Sequence, residues 1–138
     1  MSWVRVWIHM VFSTKSREPF LTDGIRQKVF SHIMENAKKK EIRLAIVNGY
    51  TDHAHCLLAL NKDITVAKAA QLIKGESAFW INKQGLTNQK FMWQDDYWAV
   101  SVGERDFKTV FDYIKNQEEH HRKKSFAEEY ESMLKQWG

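Results

Sequence analysis

The run DHAHCLLAL at residues 52–60 sets two histidines, His53 and His55, two positions apart among apolar neighbours. On a β-strand a period of two puts both imidazoles on one face, their roots roughly 6–7 Å apart. Two imidazoles so placed can converge on one divalent ion. Taken alone, the pair equally fits two half-buried histidines on a sheet. A second pair adds weight. Tyr113 and Gln117 are four apart in a stretch of helical periodicity, so they lie one above the other on a helix face. Gln117 offers an amide oxygen, a usable third ligand for a hard cation. Tyr113 offers a hydroxyl near that cation, although a tyrosine simply packed on a helix is the plainer alternative. Two imidazoles and an amide oxygen suit Mn²⁺, Co²⁺, Ni²⁺ or Zn²⁺ by affinity. Too few Cys and His ligands are present for a structural zinc centre.

The remaining histidines say less. His120 lies seven residues after Tyr113, on about the same helix face, where it could assist, contact phosphate or be structural. His121 points elsewhere by the same periodicity. His9 sits on an open sheet face, where it could support the site from behind, although a plain surface histidine is the simpler reading. His32, inside an amphipathic helix, suggests no chemistry. No general base stands out.

The elements that must position these groups follow from periodicity. Residues 3–12 alternate: Val4, Val6, Ile8, Met10 and Phe12 form a core face, with Trp3, Arg5, Trp7, His9 and Val11 opposite. A loop follows at 13–22. Thr22 is expected to cap a helix carrying Ile25, Val29, Ile33 and Ala37. Residues 42–47 read as a second strand, Asn48-Gly49 as a turn, and 52–60 as a third strand. Thr65 opens a second helix through Val66, Ala69, Ala70 and Ile73. Residues 84–96 are loop and 97–102 a fourth strand. Residues 106–121 read as one helix carrying Tyr113, and 126–136 as a short final helix. The order β-α-β-β-α-β is that of an α+β, ferredoxin-like split β-α-β antiparallel sheet with an additional C-terminal helix.

At 138 residues the chain reads as a single domain over 1–138. Its 43% hydrophobic and 28% charged residues exclude wholesale disorder, and one Pro with six Gly excludes collagen-like sequence. The single cysteine, Cys56, cannot form an internal disulfide, which fits a reducing cytoplasm. No apolar run approaches ~20 residues, so no membrane span is expected. The start MSWVRVWIHMVFSTK lacks the uninterrupted apolar core of a signal peptide. A net charge of +4 favours polyanionic partners. Lys15 and Arg17 in the first loop, Lys74 in the second helix, and Lys115 and Arg122 around the tyrosine helix are candidate phosphate contacts. Trp3, Trp7, Trp80, Trp93 and Trp98 could stack on unpaired bases, but most are expected in the core or an interface. Glu128, Glu129 and Glu131 are expected to face away from a nucleic acid.

Five segments in order carry a family likeness: VFSTKSREPFL at 11–21, DHAHCLLAL at 52–60, AAQLIKGESAFWINK at 69–83, FMWQDDYWAVSVGE at 91–104, and VFDYIKNQEEHHRKKSFAEEYESMLKQWG at 110–138. The chain resembles the IS200/IS605-type single-tyrosine HUH transposases, including their REP-associated tyrosine transposase relatives. Ala54 is smaller than the usual residue between the paired histidines. The resemblance implies His53, His55 and Gln117 as ligands of Mg²⁺ or Mn²⁺, and Tyr113 as nucleophile, with Asn116 and His120 in support. It implies cleavage and rejoining of single-stranded DNA at hairpin-bearing ends through a 5′-phosphotyrosine. It also implies a homodimer in which the active site is shared between subunits. Two other readings stay open: a non-catalytic single-strand-binding module, and a domesticated nuclease acting on REP hairpins.

Overall fold

Alternating apolar residues build the first strand, β1 (Val6–Ser13), which buries Ile8, Met10 and Phe12 on one face and Trp7, His9 and Val11 on the other. The structure, a computed structural model, describes residues 1–137, and of Trp137 the helical backbone only. The strand begins later than the alternation suggested. Val4 and Val6 are exposed, because the neighbouring strands end where they would need cover.

The first helix, α1 (Ile25–Lys39), buries Val29, Phe30, Ile33 and Ala37. Thr22 does not cap it with its hydroxyl. Gly24 holds the N-cap position in a left-handed backbone, and the Thr22 carbonyl accepts from the Arg26 N–H. Strands β2 (Arg43–Gly49) and β3 (His53–Leu60) form a hairpin. Its turn is not Asn48-Gly49. Both residues belong to β2, opposite His55 and Ala54, and residues 50–52 make the connection. Gly49 is needed there for space, since a Cβ would lie 2.1 Å from the His53 carbonyl oxygen.

Helix α2 (Val66–Gln84) starts at Thr65, whose hydroxyl accepts from the Lys68 N–H, and ends at a left-handed Gly85. Strand β4 (Trp98–Val102) completes an antiparallel sheet in the order β2-β3-β1-β4. This is the split β-α-β arrangement read from the element order. Helices α1 and α2 cover one face over a core of Ile8, Met10, Phe12, Val29, Ile33, Cys56, Leu58, Ala69 and Ile73. Each Val, Ile, Leu, Met or Phe side chain among them contributes roughly 1.5–3 kcal/mol by leaving water.

The opposite face is not open. Three helices lie over it: α3 (Phe107–Lys115), α4 (Gln117–His121) and α5 (Phe126–Trp137). The expected single helix over 106–121 breaks at Asn116, whose backbone leaves the helical range. Asn48 stabilises the break by donating to the Ile114 and Lys115 carbonyls at 3.1 and 3.0 Å, the groups a helix end leaves unpaired. Arg26 fixes α4 from the other side through Glu118, at 2.8 Å. Of the tryptophans, Trp7 and Trp93 are buried. Trp80 stacks on His32 with ring centroids 4.0 Å apart, and Trp3 is exposed.

Candidate active site

Strand pairing sets the groups on the helix-covered face. Val11 lies opposite His55 and Ser13 opposite His53, so the two histidines and His9 share that face at the sheet centre. Cys56, of opposite parity, points into the other core, where burial pushes its thiol up to about 12 and makes it inert. The rings of His53 and His55 lie 5.2 Å apart. Both histidines are fully buried.

Each imidazole is held from behind. His53 Nδ1 donates to the Asp52 carboxylate at 2.8 Å, which leaves Nε2 for the centre of the site. His55 Nδ1 lies 2.8 Å from His9 Nε2. His9 is therefore buried and engaged, not the surface residue its place on an open face suggested, because helices cover that face. Gln117 Oε1 is 3.1 Å from His53 Nε2. Tyr113 and Gln117 thus reach the histidine pair although the break at Asn116 places them on different helices.

At the centre is a group the sequence pattern missed. Glu129 on α5 is 1% exposed. Its Oε1 lies 3.3, 3.1 and 2.9 Å from the Nε2 atoms of His53, His55 and His121. Its Oε2 accepts from the Tyr113 hydroxyl and, at 2.9 Å, from the Gln117 amide. The acidic run at 128–131 was expected to face away; Glu128 and Glu131 do, but Glu129 turns inward. One signal was available. Glu129 falls in the stripe Phe126, Tyr130, Met133 at steps of three and four, so it is a charge in a core position. His121 also departs from expectation: with α4 reset at Asn116, it faces the site and is buried.

The electrostatics follow from this packing. Burial, then the neighbouring His55, holds His9 down to about 3; burial holds His55 down to about 4. Burial also opposes charge on His53, but hydrogen bonds to Asp52 and Glu129 outweigh it and raise its pKa. Burial alone would raise Glu129; the imidazoles of His121, His53 and His55 outweigh it and hold the carboxyl ionised. Tyr113 is raised, by burial and by the Glu129 anion. Its proton therefore rests on the phenol.

The donor set fits a divalent ion. Ligand atoms of His53, His55 and Glu129 lie within 4.8 Å of one another, and Gln117 Oε1 adjoins them. The Nε2 atom of His120 is buried with no hydrogen-bond partner, 3.6 Å from Glu129 Oε2. Such an orphan marks a place where a further group would be satisfied. The half-exposed side of the site is that of Tyr113 and His120.

The candidate phosphate contacts divide. Arg17 lies over the Phe126 ring at 5.3 Å, and Phe126 in turn stacks on His53 at 4.3 Å. Lys15 is exposed nearby. Lys115 and Arg122 border a separate polar hollow with Asn116. Lys74 is committed elsewhere, donating to the Gln94 and Asp95 carbonyls at 2.7 and 2.9 Å.

The family described as "Transposase IS200 like" matches residues 2–117. The chain belongs to the IS200-like transposase family. Solved structures repeat the fold. A candidate transposase from Deinococcus radiodurans R1 superposes with a TM-score of 0.68 at 21% identity, over 84% of this chain and 93% of that one. A REP-associated tyrosine transposase bound to a REP hairpin superposes with a TM-score of 0.61 at 18% identity, over 88% and 72%. No curated protein matches the chain. The IS200-like match ends at Gln117, so His120, His121 and Glu129 lie beyond it.

Proposed function

We propose that this transposase cleaves and rejoins single-stranded DNA with Tyr113 as nucleophile and a divalent ion held by His53, His55, Gln117 and Glu129. The observation that carries the reading is the division of labour on one carboxylate. Oε1 of Glu129 faces the imidazoles, while Oε2 accepts the Tyr113 hydroxyl. When bound, Mg²⁺ or Mn²⁺ supplies Lewis-acid charge that offsets the phosphodiester's own.

The chain's residues do the rest. Asp52 fixes His53 with Nε2 inward, and His9 can do the same for His55 by accepting its Nδ1 proton. The Tyr113 oxygen attacks phosphorus and its proton passes to Glu129 Oε2 along the existing hydrogen bond. A phosphorus–oxygen bond forms to tyrosine, the bond to the 3′ oxygen breaks, and that oxygen takes up a proton as a free 3′-OH. His120, whose ring lies 5.4 Å from that of Tyr113, is the candidate donor. The phosphotyrosine conserves the bond energy, so a second 3′-OH can reverse the step and join a new strand.

The REP hairpin bound by the solved relative supports hairpin-bearing single strands as the substrate class. Within one chain the Tyr113 ring lies 5.7 Å from the His55 ring. Two copies, each with its own tyrosine, would exchange strand ends. The test is incubation with Mn²⁺ or Mg²⁺ and labelled single strands from the flanks of the protein's own gene. A denaturation-resistant protein–DNA adduct is expected, and Tyr113→Phe should abolish it while binding persists. Normal cleavage by the variant would remove Tyr113 as nucleophile.

A further inference from the structure

Beside the reactive cluster, at the end of β1 and the start of β4, is an open cavity of about 460 Å³. That lies within the roughly 300–1,000 Å³ typical of small-ligand pockets. Its walls are aromatic on both sides: Tyr97 and Trp98 from β4 and the segment before it, Phe126 and Tyr130 from α5. Gln94 and Asp96 offer an amide and a carboxylate at its edge, and Arg17 stands beside them. Flat apolar walls with polar groups at the margin are what a heterocyclic base needs, with its faces stacked and its edge hydrogen-bonded. A guanidinium close by suits the phosphate on the same nucleotide.

The cavity shares walls with the reactive cluster. Phe126 stacks on His53, and Trp98 meets His9 edge-on at 5.2 Å. A base in the cavity is therefore one side-chain layer from the histidines.

We propose that this cavity takes one unpaired nucleobase of the DNA strand, next to the phosphodiester that reacts at Tyr113. It thereby sets which bond in the strand is presented to the nucleophile. The proposal rests on the reading of Tyr113 given above, so its test uses binding alone.

Tyr113→Phe protein is titrated with a fluorescent 15-nucleotide thymidine strand, with the adenosine strand, and with an abasic strand of equal length and charge. At least one base-bearing strand should bind about fivefold or more tighter than the abasic one, the low end for one base–aromatic stack. Tyr97→Ala/Tyr130→Ala should erase that preference. Trp3→Ala, at a distant exposed aromatic, should keep it. Should the double variant fail to fold, Tyr97→Ala alone, at an exposed position, should reduce the preference. Equal binding of base-bearing and abasic strands, or a preference that survives loss of the tyrosines, overturns the proposal. A base preference in a protein whose wild-type form yields no adduct would keep the cavity and remove the nucleophile assignment. An adduct without base preference would do the reverse.

Discussion

Glu129 concentrates the chemistry of the site on one side chain. Replacing it by Gln keeps the shape but removes the proton acceptor and the anion that raises Tyr113. Glu129→Gln should slow adduct formation by about 10²–10⁴-fold, the range for loss of a general base. Tyrosinate absorbance in the same variant should show one phenol ionising at lower pH than in the wild type. An unchanged rate would exclude Glu129 as the proton's destination. Behind the ligands, Asp52→Ala and His9→Phe each remove a group that orients an imidazole. Mn²⁺ affinity measured by calorimetry should fall 10–100-fold in either case. The histidine pair, Tyr113 and Gln117 were legible as a converging set because strand parity and helical spacing fix direction. Asp52 was not read as a support, and His9 was ranked below a plain surface histidine, since their role depends on register between strands and on cover by later helices.

Among the elements, the β2–β3 hairpin sets the depth of His53. Gly49 lies so close to the His53 carbonyl that any side chain must push the strands apart. Gly49→Ala should destabilise the fold by about 1–3 kcal/mol, read as a lower thermal midpoint. It should also weaken metal binding, because His53 moves with its strand. Four strands and the helices over one face followed from periodicity alone. The break at Asn116 did not, because its cause is tertiary: Asn48, sixty-six residues from Ile114, caps the end of α3. A helix end stabilised from another element leaves no mark in local sequence. The Asn-Gly pair misled for a related reason. It usually signals a turn, but here its glycine serves a close approach inside a strand.

At the level of the molecule, the sheet separates two tasks. One face, under α1 and α2, is apolar; the other buries histidines around a carboxylate. That division makes stability depend on pH in the metal-free protein. His9 and His55 are lowered below the ordinary 6.5, so the unfolded chain binds protons there that the folded chain refuses. Stability should fall as pH drops from about 6.5 towards 4, by up to about 2 kcal/mol per group between pH 6.5 and 5. His53 is raised, so its contribution is fully present below about 6.5 and is lost as pH climbs through its folded value. Glu129 is depressed, so its contribution is fully present above about 4.5 and is lost progressively as pH falls below that. Thermal melts across pH should peak near neutrality, and His9→Phe should flatten the acid side. A profile flat from pH 7 to 5 would contradict the buried neutral imidazoles.

The carboxylate enters the centre from the last helix, beyond residues 2–117 that match the IS200-like family, whereas the imidazoles of His53 and His55 come from the sheet. Scaffold and proton acceptor are thus separate parts joined by a short span of chain. Exchanging only the final segment between two kindred proteins would swap the proton acceptor while leaving Tyr113 and the paired histidines in place.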